Sequence, residues 1–321
     1  MPHTVLVLGN PTDRHLRLLA ELPLETSIAV GETPEAFANL APEADIIFFA
    51  NQNPPLFEQV IRMAPRVKWV HSLWAGVDKL LVPEIRDTAI PLTNAKGAYS
   101  KSLAEFCILG ILFFAKDMRR LLRQQRERHW EKFACVEIHG QTLGIIGYGD
   151  IGRAIALRGH GMGLRIHALR RRPEQSQGDP IIEKTYAPDQ ILELMAACDY
   201  VALALPQTPD TVRTVGAREI AAMKPSAVIL NVGRGSAIDE PALAEALQQN
   251  RIRGAALDVF DTEPLPASSP FWTLDNVFLS PHCADNTATW QDDSVRIFLD
   301  NFRRYAAGQP LRNIVDKESG Y

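Results

Sequence analysis

The sequence predicts an α/β protein made of two doubly wound parallel-sheet domains. Three observations carry this prediction. The 321 residues exceed what one hydrophobic core comfortably organises. Short apolar runs alternate with helical patterns along most of the chain, as in parallel sheets covered by helices. The stretch Gly147-Tyr148-Gly149-Asp150-Ile151-Gly152 sets three glycines in a G-x-G-x-x-G spacing, directly after an apolar run and directly before a helical one.

In the first series Val5–Leu8, Ser27–Val30, Asp45–Phe49 and Val67–His71 read as strands, and Pro54–Arg62 reads as a helix. A long helical pattern starts near Ser100 and continues past Met118 through Arg128. Its first half carries Leu103, Phe106, Cys107, Gly110, Ile111 and Phe114 at helical spacing, which predicts burial between domains or subunits. Its second half carries Lys116, Arg119, Arg120, Arg123, Arg126 and Arg128, and reads as a solvated face. It lacks the interleaved aromatics of a nucleic-acid stripe. A second series has strands at Thr142–Ile146, Leu164–Leu169, Tyr200–Leu203, Ala227–Asn231, Gly254–Asp258 and Val277–Leu279. Helices are expected near 152–160, 188–196, 217–222 and 240–249, with a last amphipathic helix within 286–307. Six strands with intervening helices make a complete dinucleotide-binding domain.

Composition narrows the class. A hydrophobic fraction of 46% is ordinary for a globular chain, and no run approaches the roughly 18 apolar residues of a membrane span. The N-terminus has no basic segment ahead of Val5–Leu8 and reads as a first strand rather than a signal peptide. Cys107, Cys135, Cys198 and Cys283 show no paired spacing, which fits a reducing cytoplasm and suggests neither a disulfide nor a metal site. A net charge of −4 argues against nucleic acid as the main partner.

The glycine spacing has a physical reading. The first glycine permits a tight strand-to-helix turn, the second lets the backbone approach a pyrophosphate, and the third lets helix pack on strand. Free N–H groups at the helix start then face the phosphates. Three later strands end in side chains able to do chemistry: Arg234 within Asn231-Val232-Gly233-Arg234-Gly235, Glu263 within Asp258-Val259-Phe260-Asp261-Thr262-Glu263-Pro264, and His282 after Ser280-Pro281. In an open parallel sheet these ends converge on the ligand-binding edge. An arginine fork can hold a carboxylate and polarise the neighbouring ketone. A histidine can give or take a hydroxyl proton near neutral pH, and a carboxylate beside it favours the imidazolium. Each residue alone has a structural reading, as a surface contact, a loop end or a strand-end side chain. The case rests on all three following the sheet that carries the glycine loop.

With these motifs the chain resembles the D-isomer-specific 2-hydroxyacid dehydrogenase family, which includes glyoxylate/hydroxypyruvate reductases, phosphoglycerate dehydrogenases and formate dehydrogenases. The resemblance is carried by the glycine loop, by Leu205-Pro206-Gln207-Thr208-Pro209-Asp210-Thr211, by the three segments above, by Trp74-Ala75-Gly76-Val77-Asp78 and by Ala104-Glu105. It runs from about residue 65 to 290. It implies a flavodoxin-like substrate domain and a Rossmann nucleotide domain separated by a cleft. The substrate domain would be discontinuous, 1–97 with 286–321, around a dinucleotide-binding domain of 98–285. Helices near 100–118 and 287–305 would bridge the two, and a homodimer is expected.

The resemblance also implies roles. His282 would be the acid/base, Glu263 its partner and Arg234 the substrate anchor. Backbone N–H groups of Ala75 and Gly76 would receive the substrate carboxylate, as an anion-binding nest, with Trp74 either lining the pocket or serving as core. Cofactor contacts would come from Gly147, Gly149, Asp150, Ile151, Gly152, Leu205, Pro206, Thr211, Val232, Asp258, His282 and Ala284, with Asp258 holding the nicotinamide amide.

Cofactor choice turns on the second strand of the nucleotide domain, which ends in Arg170-Arg171-Arg172. NAD-selective sites place an acid there for the ribose 2′-hydroxyl. Arg170 stands in its place, removing a repulsion and supplying guanidinium partners for a 2′-phosphate. NADP(H) is therefore favoured, through Arg170 and Arg171, with NAD(H) as the alternative. The expected reaction is hydride transfer from NADPH to a 2-keto acid, giving a D-2-hydroxy acid. The substrate would be glyoxylate, hydroxypyruvate or a larger homologue. Glu263 stands where formate dehydrogenases would have glutamine. Two other readings share these residues, a phosphite-oxidising dehydrogenase and a dinucleotide-sensing corepressor-like protein.

Overall fold

The computed structural model describes residues 2–318. Met1 and residues 319–321, which the sequence reading assigns to the first domain, lie outside the described residues. The chain divides into two compact units, one running up to Tyr99 and resuming at Thr287, the other Ser100–Asn286.

The first unit holds β1 (Thr4–Leu8), β2 (Ser27–Gly31), β3 (Ile46–Phe49), α1 (Pro54–Met63), β4 (Trp69–Ser72), the single turn α2 (Pro83–Arg86) and β5 (Leu92–Thr93). Its five strands pair in parallel in the order β2-β1-β3-β4-β5. Val5, Val7, Ile46, Phe48 and Trp69 point into one core, and Leu6, Leu8, Ile47, Phe49 and Val70 into the other. Both faces are covered, so these strands are continuously apolar instead of alternating with polar residues. Leu56, Phe57, Val60 and Ile61 of α1 cover the second face. That helix starts cleanly because the Asn53 side chain accepts the Leu56 N–H at 3.2 Å, and Pro54 and Pro55 sit where no helical N–H is needed.

The helix Trp290–Ala306 covers the first face with Val295, Phe298, Leu299 and Phe302. Phe298 stacks on Phe48 at 4.3 Å between ring centroids and on Trp69 at 5.3 Å. Full burial of one such ring contributes about 1.5–3 kcal/mol, so this returning helix is an integral layer of the unit.

Beneath Phe298 lies His71, fully buried, its Nδ1 2.7 Å from the Thr93 hydroxyl, which also accepts the Trp69 indole N–H at 2.8 Å. Burial pushes the His71 imidazole down to about 3 from an ordinary value of 6.5. Between those two values the unfolded chain binds a proton that the folded chain does not. Stability from this site is therefore full above about pH 6.5 and declines as pH falls toward 3. Thermal melts should show Tm falling from about pH 6.5 to pH 4.5, with a shallower slope in His71→Asn. Equal slopes in both proteins would remove His71 as the cause.

The second unit holds α3 (Ser100–Ala115), α4 (Met118–Glu127), β6 (Thr142–Ile146), α5 (Asp150–Gly161), β7 (Arg165–Leu169), β8 (Ile182–Tyr186), α6 (Ile191–Ala197), β9 (Tyr200–Leu203), α7 (Ala217–Ala222), β10 (Val228–Asn231), α8 (Glu240–Gln248), β11 (Gly254–Leu257) and β12 (Val277–Leu279). Its seven parallel strands run β12-β11-β10-β9-β6-β7-β8. The architecture is thus two parallel-sheet α/β units, as the sequence predicts, with two local corrections.

A seventh strand, β8, extends the six expected. It is an edge strand with only Tyr186 buried, so its polar sequence lacks a strand's apolar signal. The long helix expected over Ser100 to Arg128 is two helices, broken where Asp117 takes a left-handed conformation (φ 48°). The break re-aims α4 so that Arg119 donates to Asp275 at 3.1 Å and to the Val277 carbonyl, while Lys116 Nζ donates to the Val136 carbonyl at 2.7 Å. The basic face is accordingly only partly solvated, since Arg120 also pairs with Glu131 at 2.8 Å. Within its own unit, α3 packs on the sheet. A Cβ on Gly110 would come within 2.8 Å of both Leu230 and Ala256, so the glycine allows the helix to lie directly on β10 and β11.

Candidate active site

Strand register builds the site. Leu169, Ile146, Leu203, Asn231, Leu257 and Leu279 pair successively from β7 through β6, β9, β10 and β11 to β12. The residues that follow each, Arg170, Gly147, Ala204, Val232, Asp258 and Ser280, therefore leave the sheet along one carboxyl edge. The chain order reverses beside β6, and such switch points are where open α/β sheets take ligands.

The three glycines serve different needs. Gly147 has φ 96°, and a Cβ there would sit 2.6 Å from the Ala204 carbonyl oxygen. A Cβ on Gly152 would meet the Gly147 carbonyl at 2.2 Å. Both are required by the protein itself. Gly149 is not, because a Cβ there would meet nothing within 4 Å. That open space lies at the start of α5, whose first N–H groups lack intrahelical acceptors and carry the positive end of the helix dipole. Ile151 lies in that first turn. The Asp150 carboxylate accepts from the Ser100 hydroxyl, so only its backbone is open to a ligand.

On the next loops, Leu205 packs against the core of the sheet. The Thr211 hydroxyl donates to the Pro206 carbonyl at 2.7 Å and accepts the Thr208 N–H at 2.9 Å, which fixes the loop between them. Val232 is buried after β10. Past β7, Arg170 donates to the Ser176 hydroxyl at 3.2 Å and to the Gln175 side-chain oxygen. Both partners are neutral, so its charge is left for a ligand. Arg171 and Arg172 follow on the surface.

Asp258 is 1% exposed, and its Oδ1 accepts three donors: the Ser280 hydroxyl at 2.6 Å and the N–H groups of Cys283 and Ala284, each at 3.0 Å. Its Oδ2 is buried with no partner. An unmet carboxylate oxygen costs several kcal/mol, so a donor belongs there. The same turn places His282, whose N–H donates to the Asp258 carbonyl at 2.9 Å and whose backbone is left-handed (φ 52°). His282 Nδ1 lies 2.7 Å from Glu263 Oε2, and the other Glu263 oxygen accepts the Phe260 N–H at 2.9 Å. The carboxylate is thus fixed by the backbone and fixes the ring, leaving Nε2 as the outward nitrogen.

Arg234 is positioned from β10. The Asn231 side chain accepts the Gly233 N–H at 3.1 Å and donates to the Arg234 carbonyl at 3.0 Å, so the buried amide clamps the turn around the arginine. Arg234 also donates to the Gly233 carbonyl at 2.9 Å. Three residues after His282, the half-buried Asp285 completes the group. Burial pushes its carboxyl up, with His282 and Arg234 near enough to oppose that shift.

In the first unit, Trp74 follows β4. Its indole packs on both cores and lies 5.8 Å from the Phe49 ring, so much of it is core. The Trp74 and Ala75 carbonyls accept from the Ala95 N–H and the Asn94 side chain, at 3.2 and 2.7 Å, which holds the turn. Among the described residues, no acceptor takes the N–H of Ala75 or Gly76.

A family model described as D-isomer specific 2-hydroxyacid dehydrogenase, NAD binding domain, matches residues 108–284. The chain belongs to this family. D-3-phosphoglycerate dehydrogenase of Methanocaldococcus jannaschii is 32% identical over 94% of the chain, which spans only 57% of that relative's length. The crystal structure of a D-isomer specific 2-hydroxyacid dehydrogenase family protein from Aeromonas salmonicida superposes with a TM-score of 0.84 at 30% identity, covering 99% of this chain and 100% of that one. An NADPH-dependent glyoxylate/hydroxypyruvate reductase from Sinorhizobium meliloti, solved with NADP and sulfate, gives 0.84 at 26% identity, with the same coverage.

In this 2-hydroxyacid dehydrogenase, sequence reasoning overlooked the groups that hold the expected residues in place. Asn231, Ser280 and Asp285 each lie within three residues of one of them, and Asn231 and Ser280 are buried polar residues at strand ends. A polar residue closing an apolar strand was the available signal.

Proposed function

We propose that the protein reduces a 2-keto acid of the glyoxylate or hydroxypyruvate type, or a larger homologue, to the D-2-hydroxy acid at the expense of NADPH. The observation that carries this reading is the single register row running from Arg170 through Gly147 to Asp258, with His282 paired to Glu263 beyond it. The residues fit a dinucleotide on their own evidence: an empty space over Gly149, an orphaned Asp258 Oδ2, and arginine in place of an acid after β7.

In this reading the glycine loop and the start of α5 hold the pyrophosphate, with the loops at Leu205, Pro206, Thr211, Val232 and Ala284 alongside. Arg170 and Arg171 take the 2′-phosphate, and Asp258 Oδ2 accepts from the carboxamide. When bound, the nicotinamide supplies the hydride. Arg234 anchors the substrate carboxylate, and in the first unit the free N–H groups of Ala75 and Gly76 form an anion-binding nest. His282, oriented through Nδ1 by Glu263, delivers a proton from Nε2 to the keto oxygen as that oxygen gains negative charge. The M. jannaschii relative is longer than this chain, and its activity is not carried over. The S. meliloti reductase supports NADPH and the small keto acids. Four free cysteines are in keeping with a reducing cytoplasm, and a homodimer follows from the family resemblance.

The test is hydroxypyruvate reduction by wild type and Arg170→Asp with each cofactor. Wild type should prefer NADPH, and Arg170→Asp should move the ratio of kcat/KM values toward NADH by about 100-fold, the worth of losing a charge-assisted pair and gaining a repulsion. No reduction at all, or an unchanged ratio, would overturn the reading.

A further inference from the structure

One network in the second unit has no part in the reaction described above. Tyr148, between the first two loop glycines, is buried, and its hydroxyl donates to Asp179 Oδ2 at 3.1 Å. Arg153 Nε, from the first turn of α5, reaches the same oxygen at 3.3 Å. Asp179 is itself largely buried, with its side chain 14% exposed. Its N–H donates to the Ser176 carbonyl at 3.2 Å, and its Oδ1 accepts the Ile181 N–H at 3.4 Å. Buried Ser176 in turn accepts Arg170 Nη1 at 3.2 Å. A continuous hydrogen-bonded chain therefore runs from the glycine loop through Asp179 and Ser176 to Arg170.

The segment it secures runs from Arg170 to Gly178, and ordering long cations and a left-handed glycine (φ 82°) costs much conformational freedom. We propose that Asp179, clamped by Tyr148 and Arg153, is a positioning residue for cofactor selection, holding Arg170 ready for a 2′-phosphate. The inference rests on the NADP(H) reading above. Arg153 offsets the Asp179 charge, so the carboxylate organises the loop without opposing the phosphate. Burial and the Asp179 charge push the Tyr148 phenol up, which keeps its hydroxyl a donor across the working pH range. Pre-organisation of this kind strengthens binding by removing an ordering cost, and it does so only for the ligand that uses the ordered group.

Equilibrium titration of NADP+ and NAD+ tests this without turnover, using wild type, Asp179→Ala and Tyr148→Phe. Asp179→Ala should weaken NADP+ about tenfold and NAD+ less than about twofold, and Tyr148→Phe should weaken NADP+ about threefold. In an Arg170→Ala background, Asp179→Ala should add almost nothing, because its effect passes through that side chain. Equal weakening of both cofactors, or full additivity with Arg170→Ala, would mean that Asp179 only stabilises the fold, and would overturn the proposal. A wild type that binds both cofactors alike overturns the NADP(H) reading and the clamp with it. A wild-type preference left undiminished by Asp179→Ala overturns the clamp alone.

Discussion

His282→Ala should lower keto-acid turnover by about 10²–10⁴-fold while NADP+ still binds within about threefold of wild type, the span expected when a general acid is removed. The asymmetry follows from geometry. The histidine side chain meets Glu263 at 2.7 Å through Nδ1 and offers Nε2 outward, whereas the cofactor contacts proposed above lie at Asp258 and the glycine loop. Alanine keeps a Cβ at the left-handed position, so the turn pinned by Asp258 Oδ1 has the same donors. Glu263→Gln should give a smaller loss, because an amide can still orient the ring through Nδ1 but makes a weaker hydrogen bond than a carboxylate. Near-normal rates in His282→Ala would remove this histidine from the mechanism.

Arg234→Ala should raise KM for the keto acid and lower kcat, with kcat/KM falling by about 10²–10³-fold. Losing charge-assisted hydrogen bonds of about 1.5–3 kcal/mol each produces a change of that order. Both constants should move because, in the proposed role, the fork would bind the carboxylate in the ground state and polarise the adjacent carbonyl as charge develops. Arg234→Lys should recover only part of the loss, since an ammonium supplies a point charge and not a planar fork. The Asn231 clamp acts on the backbone of the turn, so the alanine variant should fold normally. An unchanged KM in Arg234→Ala would reject the anchor role.

The sequence was most legible where burial and register dictate it. Strands such as Thr142–Ile146 and Tyr200–Leu203 match the observed elements residue for residue, because both faces of a parallel sheet's interior strands demand unbroken apolar runs. Ile182–Tyr186 did not stand out, since one face of an edge strand answers to water. The break at Asp117 was hidden because helical periodicity continues through it, and what sets it is where Lys116 and Arg119 find distant carbonyl partners. Spacing alone named the motif residues, and the sheet register brings their strand ends to one edge. The buried residues that orient them could not be named this way, because an Asn231 or an Asp179 carries its meaning in three-dimensional hydrogen bonds and not in spacing.

The most direct test of the central claim is a set of initial rates for glyoxylate, hydroxypyruvate, pyruvate and phenylpyruvate, each with NADPH and with NADH. We expect NADPH-dependent reduction of at least one of these acids, with NADH clearly poorer and a product of D configuration wherever the carbinol carbon is chiral. Failure to reduce any of the four with either cofactor, or reduction to the L product, would contradict the proposed activity while leaving the family and the fold in place.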